Sequence, residues 1–163
     1  MSNFNSQKII APIMRFVNMK GIIALKDGML AILPLTVVGS LFLIIGQLPF
    51  EGLNQAIASV FGDTWTEPFM QVYSGTFAIM GLISCFSIGY SYAKNSGVEP
   101  LPAGVLSLSS FFILLKSSYV PAKGEPIGDA IAKVWFGGQG IIGAIIIGLV
   151  VGAIYTVFIQ RHI

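Results

Sequence analysis

Charge is scarce in this 163-residue sequence: Asp, Glu, Lys and Arg together make up 10% of it. Soluble domains carry about 25%, so the polar coat that water requires is missing and an ordinary soluble domain is excluded. Disorder is excluded as well, because 55% of the residues are hydrophobic and disordered chains combine low hydrophobicity with abundant charge. Cysteine is nearly absent. The single Cys85 permits neither a disulfide framework nor a cysteine metal site, and with no cation beside it to hold a thiolate it reads as a buried, inert thiol. The single histidine, His162, has no neighbouring carboxylate and reads as a solvated residue rather than a general base or phosphoryl acceptor. No Walker loop, GxSxG or HExxH occurs, and no basic stripe carries interleaved aromatics. Nucleotide, hydrolase and nucleic-acid chemistry therefore have no support, and neither a cofactor nor a metal is expected.

What the sequence does have is long charge-free runs. Gly28 to Phe50 gives 23 residues, Pro68 to Ala93 gives 26, Pro100 to Leu115 gives 16 and Val134 to Gln160 gives 27. A spanning helix needs about 20 apolar residues to cross a hydrocarbon core of about 30 Å. The runs predict an all-α integral membrane protein with four spans, near 28–50, 68–93, 100–118 and 134–160. The third is short, and reaches span length only if Lys116 snorkels and Ser117 and Ser118 prolong the helix. None of these runs holds an ionisable side chain, which argues against an autonomous pump or an ion-coupled transporter. A channel is disfavoured too, for want of a charged or carbonyl-lined filter.

Residues 1–27 form a separate segment. Ile9, Ile10, Ile13, Phe16 and Val17 recur at helical spacing while Lys8, Arg15 and Lys20 take other positions. This predicts an amphipathic helix in the membrane interface, interrupted near Pro12 and Gly21, rather than a secretory signal. Residues 28–163 form the transmembrane domain. Pro34 is expected to kink the first span by leaving the Leu30 carbonyl without its donor. Leu53 to Phe61 suits a short surface helix, Trp65, Phe69 and Tyr73 an interfacial aromatic belt, and Asn95-Ser96-Gly97 a turn. Residues 116–133, with Pro121, Gly124, Pro126 and Gly128, read as a loop. Placing the N-terminus in the cytoplasm puts Lys8, Arg15, Lys20, Lys26, Lys94 and Arg161 inside and Lys116, Lys123 and Lys133 outside, as the positive-inside rule prefers.

Small residues mark where spans meet. Gly81, Cys85, Gly89 and Ala93 recur every fourth position in the second span, and Gly140, Ala144, Gly148 and Gly152 do so in the fourth. Such stripes let backbones approach closely, which matters because lipid supplies no hydrophobic drive for helix association. Ile147, about 100° round the helix from Gly148, is expected to tolerate substitution. The hydroxyls of Thr36, Ser40, Ser84, Ser87, Tyr90, Ser107, Ser109 and Ser110 are the polar groups within spans. They can touch a sugar, but bonding to their own helix backbone is the default.

Two blocks carry a family resemblance. MRFVNMKGIIALKDGMLAILPLTVVGSLFLII, Met14 to Ile45, resembles the N-terminus of enzyme IIC, the membrane permease subunit of bacterial phosphotransferase sugar systems, in its lactose, cellobiose and chitobiose branch. YSGTFAIMGLISCFSIGYSYAKNSGVEPLPAGVLSLSSFFILL is similar in order and spacing, and GQGIIGAIIIGLVVGAIYTVFI fits the same pattern. The resemblance implies the N-terminal part of a permease of about ten spans, a scaffold that holds the homodimer interface in the cell membrane. It further implies import of a disaccharide that IIB, charged by IIA and ultimately by phosphoenolpyruvate, phosphorylates. The sugar pocket, with its histidine and glutamate, belongs to the part of the family that has no counterpart here. This chain is expected to be a truncated permease, without catalytic residues and unable to transport alone. The alternative expectation is a stand-alone small membrane protein acting as an assembly or regulatory partner.

Overall fold

The structure, a computed structural model, describes residues 3–125, 127–128 and 131–162. The helices are α1 (Asn3–Val17), α2 (Lys20–Ala31), α3 (Leu33–Gly46), α4 (Glu51–Phe61), α5 (Glu67–Gly75), α6 (Met80–Asn95), α7 (Pro100–Leu114) and α8 (Ile141–His162). A two-residue strand, β1 (Ser118–Tyr119), pairs antiparallel with β2 (Ile127–Gly128) inside the expected loop. Among the described residues, three helices are long and apolar enough to cross a membrane: Lys20–Gly46, Glu67–Asn95 and Gly138–His162. At 1.5 Å per residue, the 22 residues of α8 alone reach about 33 Å.

The fold differs from the hydropathy reading at several points. The first long helix starts at Lys20 rather than Gly28, and the chain breaks at Asn18 and Met19 while Pro12 and Gly21 both lie inside helices. Met19 has extended backbone, φ −62° and ψ 137°, which separates α1 from α2. Lys20, Lys26, Asp27 and, at the end of α6, Lys94 thus lie within helices, so these elements outrun the charge-free segments. The kink expected from Pro34 falls two residues earlier. Ile32 closes α2 with a three-residue turn to Met29, which ends the regular ladder where the proline nitrogen has no hydrogen to give.

The second long helix is not continuous. Thr76 has φ −125° and ψ −88°, and a 3-10 turn over Phe77–Ile79 separates α5 from α6. The Thr76 hydroxyl donates to Val72 O at 2.7 Å and lies 3.3 Å from Tyr73 O, a side-chain bond that competes with the helix ladder. The third apolar run also stops short. α7 ends at Leu114, Leu115 is extended (φ −79°, ψ 142°), and Ser118 enters β1 instead of prolonging the helix. Its 15 residues cover about 22 Å, less than a bilayer core. Residues 134–140 of the fourth run form two 3-10 turns. Gly137, Gly138 and Gly140 there each cost a helix about 1 kcal/mol relative to alanine.

The core is made of small side chains. α6 lies between α2, α7 and α8, while α3 packs on α5. The buried residues of α6 are Gly81, Ser84, Cys85, Ile88, Gly89, Ser91 and Ala93. Large apolar groups point outward instead, as with Ile142, Ile146, Val150 and Ile154 along α8. That inversion of the soluble pattern matches a solvent made of lipid tails, where closeness of backbones rather than burial of bulk holds helices together.

Candidate functional site

The contact seams between the long helices are where sequence and geometry meet. On α8, Ala144 is buried with Cys85 and Phe111 in one apolar cluster. A Cβ added at Gly148 would lie 2.9 Å from Cys85 O and 3.0 Å from Ile88 Cβ, and one at Gly152 would lie 2.9 Å from Tyr92 Cβ. Both glycines therefore stand where α8 crosses α6 without room for a side chain. Gly140 does not share this face. It precedes the helix, and a Cβ there would collide with Trp135 O of its own loop.

The stripe of α6 serves three partners. Gly81 faces the 3-10 turn before α8, where an added Cβ would lie 2.8 Å from Phe136 O and Gly137 O. The Cys85 thiol donates to Ser107 O of α7 at 3.2 Å. Gly89 faces α7, where a Cβ would collide with Ser107 Oγ, and its own Cα lies against the Gly152 position of α8. Ala93 is fully buried, and its carbonyl accepts from Ser96 N and Val98 N where the chain turns out of α6. Within this chain, Gly148 and Gly152 of α8 thus lie against Cys85, Ile88, Gly89 and Tyr92 of α6.

A third set of glycines has no fourfold register and went unread. Added Cβ atoms at Gly28, Gly39 and Gly46 would lie 2.7 Å from Ile88 Cγ1, 2.6 Å from Thr76 Oγ1 and 3.0 Å from Met70 Sδ. These glycines are spaced eleven and seven residues apart, close to three and two helical turns. They keep one face of the first long helix against the second in a single antiparallel register. The signal was present in the sequence, but at spacings longer than the usual small-residue motif.

Six of the eight span hydroxyls fall into two groups. Thr36 donates to Leu33 O, Ser40 to Val37 O, Ser84 to Met80 O and Ser107 to Ala103 O. These four satisfy themselves on their own helices. Ser87 and Tyr90 instead line a cavity beside Asp27 and Asn95.

A polytopic helical membrane protein is what this fold defines. The profile of the family described as "Phosphotransferase system, EIIC" matches residues 26–163, and the chain belongs to that family, the membrane permease component of the phosphotransferase system. The lichenan permease IIC component of Bacillus subtilis (strain 168) is 37% identical over 164 residues, covering 96% of this chain and 36% of the relative. The cellobiose-specific EIIC component of Geobacillus stearothermophilus is 36% identical over 147 residues, covering 86% of this chain and 32% of the relative. Among solved structures, the transporter ChbC, the IIC component from the N,N'-diacetylchitobiose-specific phosphotransferase system, superposes with a TM-score of 0.85 at 31% identity. That likeness covers 96% of this chain and 38% of the transporter. The chain spans about a third of the length of the relatives it matches. These likenesses favour a permease over a stand-alone regulatory partner.

Proposed function

We propose that this chain forms the N-terminal scaffold of a phosphotransferase sugar permease of the cellobiose, lichenan and chitobiose type, importing a β-linked saccharide as it is phosphorylated. The observation that carries the reading is the structural likeness to the chitobiose transporter, which extends over 96% of this chain. Small-residue seams support the scaffold role, because a block that fits this closely moves as one body, and alternating access needs one body to move against another. IIA and IIB act on the cytoplasmic side, two copies associate through the scaffold, and the N-terminus is cytoplasmic by the lysine and arginine count. α1 lies in the bilayer interface, its exposed Ile10, Ile13, Met14 and Val17 sharing one helix face toward the lipid.

Uptake of labelled cellobiose tests this. Cells lacking their own permease are given IIA, IIB and this chain, with or without the remaining two-thirds of the Bacillus subtilis lichenan permease. The chain alone is expected to give background uptake, and the pair to give uptake well above it. Robust uptake by the chain alone overturns the scaffold role, and none by the pair overturns the permease reading.

A further inference from the structure

The second half of α2 meets the end of α6 around a cavity of about 300 Å³ that changes character along its length. Ala31 and Phe86 wall one end, Ser87 and Tyr90 the middle, and Asp27, Lys94 and Asn95 the other end. The polar end lies where two apolar runs stop. Lys26 and Asp27 directly precede the charge-free residues 28–50, and Lys94 directly follows the charge-free residues 68–93. From Phe86 to Lys94 the wall climbs about 12 Å along α6, from an apolar level to the water boundary. Asn95 Nδ2 donates to Asp27 Oδ2 at 2.8 Å and ties the two helices together there. Lys26 Nζ lies 3.4 Å from Asp27 Oδ1, so two ammonium groups stand against one carboxylate. Arg161 is at the same level, where its neighbour Gln160 donates to Ser96 O at 3.1 Å; Glu99, past the turn, lies outside the lining. Ala31 and the adjacent Leu30 are exposed, so the apolar end opens to the surface that lipid bathes. Phe86 is fixed by its stack with Tyr90, centroids 6.1 Å apart, and by Gly104, where an added Cβ would lie 2.7 Å from its ring.

An apolar wall that ends in a surplus of lysine fits an amphiphile with a negative head. We propose that the cavity binds one anionic phospholipid, with phosphatidylglycerol as the head chemistry. The phosphodiester takes the Lys94 and Lys26 ammonium groups, and the start of one acyl chain runs over Ala31 and Phe86. The glycerol hydroxyls of the head donate to Asp27, whose side chain keeps 37% of its surface exposed and whose two oxygens offer about four acceptor positions. Basic pockets between membrane helices at headgroup depth hold anionic lipids in this way. Charge and shape together select the occupant. One negative charge cancels the surplus lysine, whereas phosphatidylethanolamine brings an ammonium of its own and leaves that surplus. A soluble phosphate leaves the apolar end without a partner, and a neutral polyol leaves the second lysine without one. The site stands on the membrane class of the chain, holds for either orientation and is independent of the permease reading.

Native mass spectrometry of the whole chain tests it. The protein in dodecyl maltoside is equilibrated with equal amounts of dioleoyl phosphatidylglycerol, phosphatidylethanolamine and phosphatidylcholine, then released from the detergent. The wild type is expected to keep one phosphatidylglycerol per chain in preference to the other two lipids. Lys94→Gln removes one charge and should weaken that binding about fivefold. Ala31→Phe fills the apolar end, leaves the charge unchanged and should weaken it severalfold. Both positions are exposed, and Lys26→Gln, at a side chain 63% exposed, supplies the charge arm if Lys94→Gln fails to fold. Lys123→Gln, a lysine outside the cavity, should bind as the wild type does, and a large excess of soluble glycerol phosphate should displace nothing. Equal retention of the three lipids, a cavity variant that binds as Lys123→Gln does, or displacement by glycerol phosphate overturns the proposal. So does loss of the lipid when the rest of the lichenan permease or a second copy of this chain is bound, because protein then covers the cavity. The uptake assay is decided separately: a chain that keeps its lipid and restores no uptake retains this site and loses the permease reading.

Discussion

Gly148→Leu is the sharpest test of the α6–α8 seam. The first carbon of any side chain there meets Cys85 O at 2.9 Å and Ile88 at 3.0 and 3.2 Å, whereas ordinary carbon contacts lie at about 3.5–4.0 Å. Alanine would therefore ask for a shift of about 0.5–1 Å, and overpacking of that kind costs about 1–3 kcal/mol. Leucine adds three more carbons along the same line, so α8 must move off α6. The contacts of Ala144 and Gly152 then open too, and a gap of about 0.5–1 Å already forfeits a quarter to a half of each contact's attraction. The expected loss is about 3 kcal/mol or more, roughly a hundredfold in the unfolding equilibrium. Unfolding in mixed SDS micelles, followed by circular dichroism, reads it directly. Membrane insertion should be unchanged, because the span becomes more apolar. Ile147 is unsuited as the control that spacing suggested, since it is half-buried against the Cys85, Phe111 and Ala144 cluster. Ile146, 57% exposed, replaces it, and Ile146→Leu should lie within about 0.5 kcal/mol of wild type. A Gly148→Leu protein as stable as that control would show that the seam does not hold α8.

Other outcomes follow from the same geometry. Gly39→Leu, which puts a side chain 2.6 Å from Thr76 Oγ1 and 2.7 Å from Phe77 Cβ, should cost about 2 kcal/mol or more in the same SDS titration; an unaffected midpoint would separate α3 from the break at Thr76 and Phe77. Cys85, buried and donating to Ser107 O, should react with N-ethylmaleimide only after denaturation, and rapid labelling of the native protein would place it on an open face. Alkaline phosphatase fused after Ser59 should be active and after Asn95 inactive, as the cytoplasmic N-terminus requires; the reverse pattern would mean that Lys116, Lys123 and Lys133 set the orientation.

Sequence by itself determined the class of this protein, because the transfer of each residue into lipid is a local quantity that adds along the chain. The apolar runs, the short helix near Leu53 to Phe61 and the turn at Asn95-Ser96-Gly97 were all legible on that basis. So was the small-residue character of α6 and α8, since fourfold spacing puts residues on one face without reference to any partner. Helix ends were less legible. Hydropathy marks where charge begins, whereas helices end where backbone hydrogen bonds do, so Lys20, Lys26 and Asp27, read with the interfacial segment, lie in α2, and Lys94, read as a connection, lies in α6. The breaks at Ile32 and Thr76 depend on single backbone bonds, and no window average resolves them. Only the tertiary structure decided what each face touches: that Gly148 and Gly152 meet α6, that Gly140 meets its own loop, and that Gly28, Gly39 and Gly46 set the register of the first hairpin. It alone brought Asp27 to Asn95, 68 positions away, with Phe86 and Tyr90 beside them. Close approach is a property of pairs of residues in space, and a one-dimensional pattern records only one member of each pair.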